Sequence, residues 1–336
     1  MVQVGWELLS FVLKIFIVLG GVGVLVALVA GKRRGGEGGA LKLEHLNRKL
    51  SRLKEQVANV GLGKKASKRA SKDSRKARKK QDQAGVADRP RVFVLEFKGD
   101  IRANAVEALR REITAIVQGA REGDEVLLKL SSPGGAVSGY GLAASQLSRL
   151  RDKGVKLTVA VDQVAASGGY LMAAVADEII AAPFAMVGSI GVVAMVPNLR
   201  RFLGRYDVDV EQLTAGEHKR TLSVFGENTA EGREQFQRDL ESIHQQFKAH
   251  VSAQRPQLDI EQVATGGHWT AANALELGLV DRLETSDEWL LNREAKAELY
   301  SVRWIAERSI GDRVGGRASA LLKTLVDSAL SQRPLL

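Results

Sequence analysis

A long apolar stretch near the N-terminus, with a single charged residue, limits what this chain can fold into. Residues 8–30 are 23 consecutive residues, and Lys14 is the only charged one among them. About 20 residues of helix cross the hydrocarbon core of a bilayer. A cleaved signal peptide is not indicated, because no basic residue precedes Lys14 and Leu28 stands where a small residue is expected before Ala30. The stretch predicts a transmembrane anchor over residues 1–31, with a buried soluble helix as the alternative.

The segment after this stretch is strongly basic. Residues 32–80 hold 18 Lys and Arg against four acidic residues, a net charge of +14, whereas the rest of the chain carries −4. Basic residues next to a span mark its cytoplasmic side. We therefore expect a single-pass protein of a bacterial-type cytoplasmic (inner) membrane. Local charge favours a cytoplasmic domain, although long domains also cross regardless of charge, so the side stays open.

The basic segment also suggests a partner. We expect residues 32–88 to form a basic arm, with an amphipathic helix over residues 41–60, that contacts anionic lipid headgroups. A solvated tether is the alternative. Nucleic acid is not expected as a partner, because aromatic residues make up 5% of the chain and no recognition motif accompanies the charges.

From Arg91 onward, short β-branched runs alternate with helical stretches. Strands are expected at residues 91–97, 125–130, 156–161 and 178–182, and helices at 104–118 and 141–153. Such alternation is typical of an α/β domain built from stacked β-α units. Further helices are expected at 233–251, 287–299 and 318–330, with a strand at 300–305.

One uncharged run inside this domain could be misread. Residues 179–199 are long enough for a second membrane span, but Pro183, Gly188 and Pro197 interrupt them. Two short buried strands with a turn explain the same composition. We therefore expect this run to belong to the core of the domain.

Two loops carry a serine next to two glycines. Ser132 precedes Gly134 and Gly135 after one expected strand, and Ser167 precedes two glycines after another. A serine at the start of a helix exposes its oxygen, and the next backbone N–H is free to stabilise an oxyanion. Glycines in a facing loop can supply a second donor because no side chain blocks the approach. A tight turn into a helix would explain either loop equally well, so the pair is more informative than each alone.

A nucleophilic serine needs a base. The chain has no cysteine, which excludes thiol nucleophiles and cysteine-bound zinc. Its five histidines fall in no recognisable triad arrangement. A lysine can replace histidine when burial lowers its pKa and leaves a neutral amine.

Five motifs occur in an order that resembles the signal peptide peptidase A family, and most closely its SohB branch. They are Ser132–Gly135, Ala165–Tyr170, Gly188–Gly191, Ala215–Thr221, and Thr270–Leu275 followed by Gly278–Asp281. The resemblance covers roughly residues 90–285. It implies a ClpP/crotonase-like spiral of ββα units over residues 89–285, preceded by the membrane anchor and followed by a C-terminal helical extension at 286–336.

The resemblance also implies roles for single residues. Ser167 matches the nucleophile, and Lys219 matches the general base of a Ser-Lys dyad. Ser189 matches the hydroxyl that orients the lysine amine. The backbone N–H groups of Gly168 and Gly135 match the oxyanion hole, with Gly134 as second choice for the latter.

The implied activity is that of a membrane-anchored serine endopeptidase acting on hydrophobic peptides, such as signal-peptide remnants or membrane-protein fragments. No metal or other cofactor is expected. The resemblance implies a homo-oligomer, and the charge around Lys219 suggests that a neighbouring subunit desolvates it. A catalytically silent membrane scaffold of the same fold is the main alternative. An acyl-CoA enzyme of the crotonase type is a less favoured one, because crotonases do not use this serine-lysine pair.

Overall fold

The computed structural model describes part of the chain, which includes one compact unit at residues 41–304. The described residues are 38–66, 68–70, 72, 73, 76, 89–216, 219 and 221–307. The apolar stretch 8–30 and the helix expected at 318–330 lie outside these residues. Within the described residues, no helix combines the length and the apolar character needed to cross a membrane.

A seven-stranded sheet forms the centre of the compact unit. In spatial order its strands are β1 (Gly39–His45), β10 (Glu298–Ala306), β2 (Arg91–Lys98), β3 (Glu125–Ser131), β4 (Lys156–Val161), β6 (Glu178–Ala181) and β9 (Arg282–Leu283). From β10 to β9 every neighbouring pair is parallel. The strands from β2 to β6 are near-continuous apolar runs, as expected for parallel strands covered on both faces.

A second, three-stranded sheet leads into Ser167, one of the expected site residues. It consists of β5 (Val164–Ala166), β7 (Met186–Gly188) and β8 (His268–Thr270), with β7 parallel to β5 and antiparallel to β8. An isolated bridge between Ser132 and Ala165 links β5 to the end of β3. The second sheet therefore lies next to the carboxyl end of a central strand, where open α/β sheets commonly bind ligands.

Nine helices have bounds that lie wholly within the described part of the chain. They are α1 (Leu46–Ala58), α2 (Val106–Gly119), α3 (Val137–Asp152), α4 (Gly168–Ala173), α5 (Arg200–Gly204), α6 (Ala230–Gln254), α7 (Ile260–Val263), α8 (Ala271–Glu276) and α9 (Ser286–Glu294). Helices α2, α3 and α4 bury apolar residues such as Ile113, Leu147 and Met172 in the main core. The α/β architecture predicted from the alternating pattern is confirmed.

The uncharged run 179–199 divides into two parts. Its first part supplies β6 and β7, and Ile179, Ile180 and Val187 are fully buried, as predicted for core strands. Its second part is exposed, with Val193 and Met195 87% and 92% accessible to solvent. The prediction of core is therefore confirmed for the strands and wrong for the residues after Gly191.

Two segments outside the expected peptidase domain pack against the sheet. The helix expected at 41–60 begins only at Leu46, because residues 41–45 form strand β1 instead. Leu46 and Leu50 of α1 pack on a core cluster that includes Trp289 of α9. Strand β10, expected at 300–305, lies between β1 and β2 in the central sheet. Parts of both the arm and the C-terminal extension thus lie in the compact unit.

Candidate active site

Ser167 is held in a strained backbone conformation at the start of α4. Its φ and ψ angles are 52° and −120°, and a positive φ is uncommon for a residue with a side chain. Its backbone N–H donates to the carbonyl of Gly188 at 2.8 Å. The strain is maintained by the second sheet, since Ala166 and Gly188 are register partners of β5 and β7. Such strain tends to occur at functional sites.

The loop that follows β3 lies directly against Ser167. Ser132 donates its N–H to Val164 and accepts from the N–H of Ala166, so the loop is fixed to both ends of β5. Gly134 has φ +90°, and a Cβ added there would lie 2.7 Å from the Cβ of Ser167. Only glycine therefore permits this approach of the two loops.

The two glycines of this loop differ in their hydrogen bonding. The Gly134 N–H donates to the Oγ of Ser132 at 3.1 Å. The N–H of Gly135 has no acceptor among the described residues, and neither has that of Gly168 in the first turn of α4. The free N–H of Gly135 fits the first-choice donor, because that of Gly134 is already occupied.

Ser189 lies beside Ser167. It follows Gly188 directly, as Ser167 follows Ala166, and Ala166 and Gly188 are register partners. Its φ is 53°, almost equal to that of Ser167, and its N–H donates to the carbonyl of Gly267. The second sheet thus brings together two serines that are 22 positions apart in the sequence.

Lys219 makes no hydrogen bond to these residues. Its side chain is exposed, and its ammonium makes no hydrogen bond or ion pair with a described residue. Its backbone N–H donates to Gly216. The segment 192–216 before it is largely exposed and contains one short helix, α5. A single chain therefore brings together Ser167, Ser189 and the glycine donors, whereas the expected base is exposed.

The last motif, Gly278–Asp281, makes hydrogen bonds that hold neighbouring elements together. The Asp281 carboxylate accepts two hydrogen bonds from the buried Arg255, at 2.7 and 2.8 Å, and one from the N–H of Ile179. The hydroxyl of Tyr170 in α4 donates to the carbonyl of Leu279 at 2.9 Å. The motif Gly278–Asp281 therefore ties β6 and α6 to the helix that carries Ser167.

Tyr140 is a site neighbour that sequence reasoning missed. It is fully buried in α3, and its ring lies under Gly168, where an added Cβ would be 2.4 Å from the ring carbon Cγ. The helix was expected to begin at Gly141, so no pattern in the sequence marked this tyrosine. No cluster of three or more acidic or histidine side chains suited to a metal ion occurs in the described residues.

A serine next to backbone N–H groups that have no acceptor, on an α/β fold, is typical of serine hydrolases. Comparison with known proteins narrows this class. The model of peptidase family S49 matches residues 149–300, and that of the S49 N-terminal region matches residues 5–147. The chain belongs to peptidase family S49. It is a hydrolase of the serine peptidase class, which confirms the resemblance.

Individual relatives agree with this assignment. "Probable protease SohB" of Haemophilus influenzae is 54% identical over 227 residues, which are 68% of this chain and 64% of that protein. "Probable protease SohB" of Buchnera aphidicola from Schlechtendalia chinensis is 55% identical over 204 residues, 61% of this chain and 67% of that protein. The matched regions thus span about two thirds of the length of these relatives.

A solved structure is similar at a lower level. It is the 1510-N membrane-bound stomatin-specific protease, a lysine-to-alanine mutant in complex with a substrate peptide. It is 16% identical, with a TM-score of 0.41 over 69% of this chain and 99% of that chain. Similarity of this degree says nothing about the substrate of this chain.

Proposed function

We propose that this chain is a membrane-anchored serine endopeptidase that uses Ser167 as nucleophile and Lys219 as general base. The observation that carries the proposal is the strained backbone of Ser167, which precedes Gly168 and faces the Gly134–Gly135 loop. The N–H groups of Gly168 and Gly135 have no acceptor among the described residues. Free donors beside a strained serine suit a tetrahedral oxyanion better than they suit a structural turn.

The chemistry follows from these groups. The neutral amine of Lys219 takes the proton of the Ser167 hydroxyl as its oxygen attacks a peptide carbonyl. The N–H groups of Gly168 and Gly135 donate to the oxyanion. The lysine ammonium then protonates the departing amine, and water hydrolyses the acyl-enzyme. Ser189, which follows the register partner of Ala166, orients the lysine amine in this scheme.

The base requires a change of environment, which we assign to a second copy of this chain. A lysine acts as a general base only as a neutral amine, which burial favours, and the Lys219 side chain is exposed in one chain. The segment that leads to Lys219 exposes several apolar side chains, among them Met195, Phe202, Tyr206 and Leu213. Association of copies through these side chains buries them and desolvates the amine, so the active species is a homo-oligomer.

The substrate and location are parts of the same proposal. We propose hydrophobic peptides, such as signal-peptide remnants or membrane-protein fragments, as substrates. A single span over residues 8–30 and the basic arm hold the enzyme at a bacterial inner membrane, with the domain on the cytoplasmic side. Protease digestion of right-side-out and inverted vesicles tests the side, since only inverted vesicles expose a cytoplasmic domain.

We also propose the finer fold, a ClpP/crotonase-like spiral of ββα units. The order of the strands supports it, because the chain passes from β4 of the central sheet directly into β5 of the second sheet, which the bridge between Ser132 and Ala165 links to the end of β3. An experimental structure tests the spiral by showing whether successive units repeat this turn.

The decisive experiment uses the purified full chain in detergent and in lipid. Activity on a fluorogenic hydrophobic peptide is followed from pH 6 to 10. We expect Ser167→Ala and Lys219→Ala each to lower kcat by about 10⁴-fold or more, since members of a catalytic unit act together. A rising pH limb in the wild type reports deprotonation of the base. Ser145→Ala and Lys153→Ala change exposed residues of the same types on or just after α3 and serve as controls.

A catalytically silent membrane scaffold is the second candidate. The exposed side chain of Lys219 favours it, because nothing in one described chain desolvates the amine. Absence of activity in the wild type, in detergent and in lipid alike, would support the scaffold. Full activity of Lys219→Ala would instead remove the lysine from the mechanism.

A further inference from the structure

A buried hydrogen-bond chain lies beneath the two glycine loops. The hydroxyl of Tyr140 donates to the carbonyl of Asp100 at 2.9 Å, and the Oγ of Ser132 lies 2.5 Å from the same hydroxyl. The Oγ of Ser132 also accepts from the N–H of Gly134 at 3.1 Å. Ser132 and Tyr140 are both fully buried.

The direction of each hydrogen bond in the chain is fixed. The Asp100 carbonyl can only accept, so the Tyr140 hydroxyl gives its single proton there. The proton shared by Ser132 and Tyr140 must then come from the serine, which leaves the serine oxygen to accept from Gly134. Burial raises the pKa of Tyr140, which keeps this phenol protonated at neutral pH. The order is therefore Gly134 N–H to Ser132, Ser132 to Tyr140, and Tyr140 to Asp100.

This series of hydrogen bonds determines which glycine N–H can donate to the oxyanion. Because Ser132 takes up the N–H of Gly134, that peptide is held in place and the N–H of the following residue, Gly135, stays free. Gly134 also has φ +90°, which without this hydrogen bond would be one of several accessible conformations for a glycine.

The same tyrosine supports the other donor. Its ring lies against Gly168, so close that a Cβ on this glycine would be 2.4 Å from Cγ and 2.8 Å from Cδ2 of Tyr140. Gly99 shows how little space surrounds the hydroxyl end, since an added Cβ there would lie 2.2 Å from the Oγ of Ser132 and 2.3 Å from the Oη of Tyr140. The Tyr140 side chain thus contacts Gly168 directly and is linked to the Gly134–Gly135 loop through Ser132.

We propose that Tyr140 and Ser132 are positioning residues that set the geometry of the oxyanion hole formed by Gly168 and Gly135. This inference rests on the proposed peptidase function. Neither side chain touches the substrate in this scheme; both act through the backbone of the two glycine loops. A displaced donor loses much of its effect, since oxyanion stabilisation depends on preorganised distances.

The test uses Tyr140→Phe, Ser132→Ala and the double variant in the full chain. Tyr140→Phe keeps the ring on Gly168 and removes only the hydroxyl. Ser286→Ala is the matched control, because Ser286 is also fully buried and its Oγ donates a 2.6 Å hydrogen bond, in this case to Asp162, which is not part of the hydrogen bonds that join Gly134, Ser132 and Tyr140.

Three quantities are measured after active-site titration. They are kcat, KM, and the affinity for a peptide aldehyde that forms a tetrahedral adduct with Ser167. We expect each single variant to lower kcat about 10- to 100-fold with KM within about twofold, and to weaken aldehyde binding by a similar factor. The double variant is expected to be little worse than either single variant, because both interrupt one hydrogen-bond chain.

The outcomes separate this inference from the function on which it rests. An inactive wild type contradicts the peptidase function itself. An active wild type whose kcat and aldehyde affinity are unchanged in folded Tyr140→Phe and Ser132→Ala overturns the positioning role alone. Equal losses in Ser286→Ala would also overturn it, because they would show a general effect of removing a buried hydroxyl.

Discussion

Around Ser167 the chain is buried, every strand is paired and the loops fit so closely that only glycine is tolerated at Gly134. Around Lys219 the chain is exposed, and residues 192–216 contain only the short helix α5. The two regions carry the two halves of the proposed dyad. The difference shows that one chain can hold a serine and two free backbone donors in a tightly packed setting while a lysine of the same family motif set stays exposed, which is why we propose that association completes the base.

The largest difference in stability is expected between two ion pairs, one in each region. Arg255, whose side chain is 4% exposed, pairs with Asp281 beneath the Ser167 helix, whereas Arg200 pairs with Glu227 in the exposed region. Arg255→Ala strands a partly buried carboxylate and should lower the free energy of unfolding by about 3–5 kcal/mol. Arg200→Ala should lower it by about 1 kcal/mol or less. Urea denaturation measures both, and similar losses would contradict the contrast.

Two glycines with similar backbone angles give the next comparison. Gly134 has φ +90° and is packed against Ser167, whereas Gly216 has φ +98° and a Cβ added there would lie 4.0 Å from the nearest described atom, the Cβ of Lys219. Alanine strains the backbone at both positions, but at Gly134 overpacking should cost about 1–3 kcal/mol more. We also expect Gly134→Ala to lower kcat about 100-fold. Denaturation midpoints and kcat of the folded variants test this, and equal stability losses would count against tight packing at Gly134.

A third variant addresses the exposed apolar segment. Phe202 of α5 is 55% exposed and its ring lies 5.2 Å from that of Tyr206. Phe202→Asp should reduce the size of the oligomer and the peptidase activity together, while the melting temperature changes little. Leu291→Asp changes an equally exposed apolar residue on α9 and serves as the control. Light scattering and activity are measured in parallel, and an unchanged oligomer with full activity would contradict the role of this segment.

The smallest expected effect concerns pH. His250 of α6 donates to the carbonyl of Leu171 in the Ser167 helix at 3.2 Å, and burial lowers its pKa. Because the folded-state pKa lies below that of the unfolded chain, this stabilisation is fully present above about pH 6.5 and is lost as pH falls. Wild-type stability should therefore decrease from pH 7 to pH 5 more than that of His250→Gln. Identical pH dependence in urea melts would show that His250 does not contribute.

Much of the central sheet could be predicted from the sequence. The expected strands at 91–97, 125–130 and 156–161 differ from β2, β3 and β4 by at most one residue at one end. Long apolar runs bounded by turns gave this accuracy. Of the second sheet only β7 corresponds to a strand expected from the sequence, in the run 179–199, because strands of three residues such as Val164–Ala166 are too short to show a period.

The candidate site was predicted from motifs, and the catalytic roles of its residues stay predictions. Glycine-rich motifs and the family resemblance pointed to Ser167 and to its donors, and β5 and β7 place Ser189 next to Ser167. Tyr140 could not be found, because its importance comes from its position under Gly168, a contact between residues 28 positions apart. The exposure of Lys219 could not be predicted either, because a motif states which residue is present and not which residues cover it.

The most direct test of the contrast is to measure specific activity on dilution. The full chain in detergent is diluted over a wide range of concentrations, and mass photometry gives the oligomer fraction in each sample. We expect activity per chain to fall in proportion to the oligomer fraction, because we propose that a second copy desolvates Lys219, while the melting temperature of the domain stays constant. Full specific activity in monomers would show that one chain completes the base by itself and would contradict the difference between the two regions.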